Sequence, residues 1–100
     1  MKLANGARKL RRGLLRSSDY DETIPPEILD DRFYEAIRST ARSAKISTAL
    51  EIGSSTGEGS TRAFVQGLHE NSDRPQLFCL EVSRPRFGEL QARYAGDPQV

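Results

Sequence analysis

The apolar run Thr48-Ala49-Leu50-Glu51-Ile52 stops at Gly53 and gives way to Ser54-Ser55-Thr56-Gly57-Glu58-Gly59, a loop of small residues. No other feature restricts the fold of this chain as much. The run reads as a short strand. Gly53 lets the backbone leave that strand sharply, and Gly57 lets backbone come close to a ligand. Ser60-Thr61 is placed to cap a helix running through Ala63, Phe64, Val65 and Leu68. After the turn residues Asn71-Ser72-Asp73-Arg74-Pro75, Leu77-Phe78-Cys79-Leu80 forms a second apolar run, the pattern of a parallel strand covered on both faces. It ends in Glu81. Ser83 and Pro85 open a further helix with Phe87, Leu90, Gln91 and Tyr94 on one side, broken at Gly96-Asp97-Pro98.

Strand, glycine loop, helix, strand, acid and helix in that order open a nucleotide-binding α/β sheet. Ligands of such sheets bind beyond the carboxyl ends of the parallel strands. There the helix N-terminus offers unpaired N–H groups to an anionic part of the ligand. Glu81 falls at the tip of the neighbouring strand, where a carboxylate can accept hydrogen bonds from both hydroxyls of a ribose.

The stretch Leu50-Glu51-Ile52-Gly53-Ser54-Ser55-Thr56-Gly57-Glu58-Gly59-Ser60-Thr61 resembles the first motif of class I S-adenosylmethionine-dependent methyltransferases, and Leu80-Glu81-Val82 resembles the family's acidic end of the second strand. The resemblance covers roughly residues 24–100. It implies an α/β, Rossmann-like methyltransferase fold, represented by its N-terminal part: a leading helix, then strand-helix-strand-helix. It also implies a cofactor, S-adenosylmethionine, and a division of labour among residues. Glu51 would help hold the methionine ammonium, directly or through water. Gly53, Ser54, Ser55, Thr56 and Gly57 would wrap the methionine moiety, Glu81 would bind the ribose hydroxyls, and Val82 would pack on the adenine. Ser83 reads more simply as a helix cap. The implied reaction is direct displacement at the sulfonium methyl carbon by an O, N or C atom of a small-molecule acceptor, in an enzyme that acts mainly by alignment. Acceptor-binding and base-supplying residues in this family come from later strands, so no catalytic residue is assigned. The chain is expected to be the N-terminal portion of a longer protein, possible as a homo-oligomer in its full-length form.

A dinucleotide site is the nearest competitor. Gly53, Gly57 and Gly59 also have the glycine spacing of short-chain dehydrogenases, and an acid at the second strand end would suit NAD. Against it, Ile52 stands where that family has Thr, and Glu51 would set a carboxylate near an anionic pyrophosphate. A third reading, from a different class, is a non-catalytic interaction module with a vestigial loop.

Upstream of the motifs, residues 1–18 carry Lys2, Arg8, Lys9, Arg11, Arg12 and Arg16 and no acid, with an apolar stripe at Leu3, Ala7, Leu10 and Leu14. Residues 1–22 are expected to be a basic, flexible arm, and 23–100 the half-domain. An anionic membrane surface or nucleic-acid phosphates are sharper readings of the arm, but no aromatic residue interleaves with its bases before Tyr20. Pro25-Pro26 reads as the first turn of a helix with Glu27, Asp30 and Asp31 near its start and Leu29, Phe33, Ile37 and Ala41 or Ala44 on its apolar face. No His or Cys joins those acids, so no metal is assigned.

The chain has 100 residues, 36% hydrophobic, with net charge +1 and one cysteine. Those values exclude an internal disulfide framework, and no apolar run approaches a membrane span. A reducing, cytoplasmic setting is the expectation. Cys79 reads as a small core residue, Tyr34 and Tyr94 as rims of helix faces, and His69 as a solvated surface group.

Overall fold

A computed structural model describes residues 25–100; the arm at 1–22 lies outside the described residues. Three helices and two strands follow in the order α1 (Arg32–Ser43), β1 (Thr48–Ile52), α2 (Ser60–Glu70), β2 (Gln76–Leu80) and α3 (Arg84–Tyr94). The strands pair in parallel with Ala49 opposite Leu77 and Glu51 opposite Cys79, so α2 is the crossover of a βαβ unit. The arrangement is a small α/β layer structure, with leading helix, strand, helix, strand and helix in the expected order.

Side chains alternate across each strand. Ala49 and Glu51 of β1, and Leu77 and Cys79 of β2, face the helices. Leu77 joins Ala41 of α1 and Val65 and Leu68 of α2 in the buried core, with Ile46, Ala49, Phe64, Cys79, Tyr94 and Val100 packed against it. The opposite face differs from the expectation of a strand covered on both sides. Ile52 is 79% exposed, Leu50 59% and Phe78 55%, and Leu80 lies beside them. The apolar run is continuous because both faces are apolar, while the described helices cover only one.

α1 starts later than Pro25-Pro26 suggest. Asp30 takes a left-handed φ of 52°, and the Asp31 side chain caps the helix by accepting the Tyr34 N–H at 2.8 Å. The two prolines therefore belong to a non-helical leading segment. The buried stripe of α1 matches the expected Leu29-Phe33-Ile37-Ala41 face only in part: Ala41 is buried and Ile37 half-buried, but Phe33 is 72% exposed and Tyr34 is buried in its place. The cause is a close crossing with α2. A Cβ on Gly67 would lie 2.3 Å from the Arg38 carbonyl oxygen and 2.7 Å from the Ala41 Cβ, so the two backbones nearly touch there. That contact turns the Tyr34–Ala41 side of α1 inward. Tyr34 is thus a core residue, its hydroxyl donating to Gln66 Oε1 at 2.6 Å, and burial pushes its phenol pKa up.

Two buried amides tie the connections. Asn71 Nδ2 donates to the carbonyls of Ala41 at 2.9 Å and Ala44 at 2.7 Å, satisfying orphan acceptors at the end of α1. Gln99 Nε2 donates to the carbonyls of Leu68 and Pro75, and the Gln99 carbonyl accepts the Leu77 N–H at 2.6 Å along the outer edge of β2. Arg38 and Arg42 reach Glu70 on the surface of the α1–α2 pair, at 2.5 and 3.7 Å. His69 is exposed as expected, and lies 2.7 Å from Asp97.

Candidate functional site

The site is built where β1 and β2 end. Gly53 and Gly57 have φ of 81° and 84°, and Ser55 between them has 55°. Three left-handed residues in five make a loop that doubles back on itself, and glycine removes the steric penalty at two of them. The loop is pinned at several points. The Leu80 carbonyl accepts the N–H groups of Gly53 at 2.8 Å and Ser54 at 3.0 Å, and Gly57 N–H donates to the Ser54 carbonyl at 3.1 Å. Tyr94 of α3 donates its hydroxyl to the Gly57 carbonyl at 2.5 Å, and Arg93 Nε donates to the Thr56 carbonyl at 3.2 Å.

Glu81 completes the rim. One carboxylate oxygen accepts the Ser55 N–H at 2.8 Å and the other accepts the Ser83 N–H at 2.9 Å. The acid at the tip of β2 thereby joins the loop at the tip of β1. Each carboxylate oxygen retains a further acceptor site for a ligand hydroxyl. Ser83 caps α3, its hydroxyl accepting the Arg86 N–H at 3.4 Å, and Pro85 sits in the first turn.

Beside the loop is an open cleft of about 270 Å³. Gly53, Ser54, Ser55 and Thr56 form one wall and Gly59 and Ser60 its floor at the start of α2; Pro26, Glu27 and Ile28 form the other wall. Gly59 is the N-cap of α2 and provides no capping side chain. A Cβ there would come within 3.1 Å of both the Ile28 carbonyl oxygen and Pro26, which is how the leading segment reaches the helix start.

Ser60 and Thr61 do not cap α2 with their hydroxyls. Both donate to the Glu51 carboxylate, Ser60 at 2.6 Å to Oε2 and Thr61 to Oε1; the single Thr61 hydroxyl hydrogen is shared between that oxygen and the Ser54 carbonyl at 3.1 Å. Glu51 is buried, beneath the first turn of the helix and behind the loop. A carboxylate at this position interacts favourably with the helix dipole.

Of the sequence-assigned residues, Gly53, Ser54, Ser55 and Thr56 line the cleft, and Glu81 bonds its wall. Val82 is fully exposed beyond β2. Gly57 makes a close approach to α3: a Cβ there would meet Tyr94 at 2.6 Å and Leu90 at 2.8 Å, so its missing side chain admits that helix. The Pro26–Ile28 wall and the Tyr94 and Arg93 contacts have no signal in the motif itself. Their only trace is the Pro pair and the aromatic position late in α3.

Among the described residues no group of three or more His, Cys, Asp or Glu could hold a metal ion, and no helix is long and apolar enough to cross a membrane. Burial pushes the Cys79 thiol pKa up, opposite to the lowering that activates a nucleophilic thiol. Comparison with known proteins returns no match: no family model, no curated protein and no solved structure matches the chain.

Proposed function

We propose that the cleft at the ends of β1 and β2 is an S-adenosylmethionine site and that the chain supplies the cofactor-binding part of a methyltransferase acting on a small-molecule acceptor. The observation that carries this reading is the joined rim: Glu81 at one strand tip, hydrogen-bonded at 2.8 Å to the left-handed Ser55 at the other. The residues present fit an adenosyl amino acid. Glu81 has acceptor capacity for two ribose hydroxyls, exposed Val82 is available to the adenine, and the cleft beside Gly53–Thr56 has room for the amino-acid moiety. When bound, the cofactor supplies an electrophilic methyl group on a sulfonium. The chain's own contribution is to fix the cofactor's orientation, through a loop whose backbone bonds are made in advance.

The same geometry disfavours the dinucleotide reading. A pyrophosphate at the start of α2 would lie over the buried Glu51 carboxylate, two charges of like sign in a poorly solvated place. Calorimetric titration separates the two readings. S-adenosylhomocysteine should bind with one-to-one stoichiometry and NADH should not; NADH binding without S-adenosylhomocysteine binding would favour the dehydrogenase alternative.

A further inference from the structure

We propose that Glu27, in the non-helical segment ahead of α1, is the cation-recognising group of the cleft and makes it selective for ligands that carry an ammonium. This rests on the S-adenosylmethionine reading and assigns one end of that ligand. Recognition of an ammonium needs an accessible carboxylate with spare acceptor capacity. Glu51 lacks it: the carboxylate is buried, with Ser60 and Thr61 hydroxyls on its two oxygens. Glu81 is engaged with the Ser55 and Ser83 N–H groups and is not among the residues lining the cleft; its remaining acceptor capacity is the part assigned to the ribose.

Glu27 has what the other two lack. Among the described residues it is the one charged residue lining the cleft, it is exposed, and it has no hydrogen-bond or ion-pair partner. Its wall is held against the start of α2 by the contact of Gly59 with Pro26 and Ile28, so the carboxylate is carried by backbone that packs on the site. The opposite wall is neutral, made of Gly53, three hydroxyl residues and backbone. A ligand seated between the walls meets negative charge on one side only. An ammonium is favoured there, and an uncharged analogue gains nothing.

Two ligands that differ by the amino-acid moiety test this, titrated by calorimetry into the wild-type chain and Glu27→Gln. S-adenosylhomocysteine carries the ammonium; 5′-methylthioadenosine has the same adenosine thioether without it. Glu27→Gln should weaken S-adenosylhomocysteine about tenfold and leave 5′-methylthioadenosine unchanged, as expected for one charge-assisted contact in an open site. The tenfold difference should shrink in high salt, where an exposed pair is screened. Melting of the variant should match wild type, since Glu27 is exposed and has no partner among the described residues. Equal weakening of both ligands, or no weakening of either, would overturn the assignment while leaving the cofactor reading intact. Absence of binding by both ligands to wild type would overturn the cofactor reading and this inference with it.

Discussion

Glu81 and Ser55 meet at 2.8 Å across the tips of two parallel strands, a carboxylate oxygen accepting a backbone N–H. The bond fixes a residue at φ 55°, where a side chain other than glycine's is disfavoured, and so holds the loop shape. Glu81→Ala removes acceptors from Ser55 and Ser83 together. Hydrogen bonds to charged groups contribute about 1.5–3 kcal/mol, and partial exposure of Glu81 puts the loss at the lower end. Amide exchange at Ser55 should accelerate in this variant, while exchange in the α1–α2 pair stays at the wild-type rate.

Gly67 sits in the middle of α2, where alanine ordinarily stabilises a helix by about 1 kcal/mol. Here the sign reverses, because a Cβ would lie 2.3 Å from the Arg38 carbonyl oxygen. Backbone cannot swing aside like a side-chain tip, so the helices must separate. Gly67→Ala should destabilise the protein by about 1–3 kcal/mol, the usual range for overpacking, read as a lowered urea midpoint.

Asn71 closes α1 through two carbonyls and positions the following turn by accepting the Asp73 N–H at 2.9 Å. Asn71→Ala leaves the Ala41 and Ala44 carbonyls without that donor. A cost of about 1–3 kcal/mol is expected for an unsatisfied buried acceptor. Asn71→Asp should not rescue it, since a carboxylate cannot donate. Urea unfolding of the two variants checks both statements.

Tyr94 links pH to the loop. Burial pushes its phenol pKa up to about 12, above the ordinary phenol value of 10.0. The folded protein therefore holds the proton more tightly than the unfolded chain. The stability this contributes is full below pH 10 and is lost as pH rises from 10 towards 12. In an absorbance titration of the tyrosines, the component near pH 12 should disappear in Tyr94→Phe. The same variant loses the 2.5 Å bond to the Gly57 carbonyl.

Both strands, the glycine loop and the acid at the end of β2 are legible in the sequence, because apolar runs stopped by Gly53 and Glu81 are local signals. Helix α1 is less so. The Pro25-Pro26 pair is a strong mark of a helix start, yet Asp31 caps the helix, and the start was set by the left-handed turn at Asp30. Its inward face is legible only in part: Ala41 falls on the expected stripe, but Leu29 and Phe33 repeat at helical spacing while the Gly67 crossing brings Tyr34 inward instead. The same limit applies to the site. Nothing local in Glu51 indicates that Ser60 and Thr61 fold back to occupy it, and nothing in Glu27 indicates that its segment closes a cleft against Gly59. Those facts belong to contacts between segments distant in the chain.

Whether the joined rim of Gly53–Gly57 and Glu81 receives an adenosyl amino acid can be read from amide chemical shifts followed during titration with S-adenosylhomocysteine. Saturable shifts should concentrate at Gly53, Ser54, Ser55, Glu81 and Val82, with little change along the α1–α2 crossing at Ala41 and Gly67. An unchanged spectrum, or shifts confined to the groove between Phe78 and Phe87 at the far edge of β2, would contradict that binding.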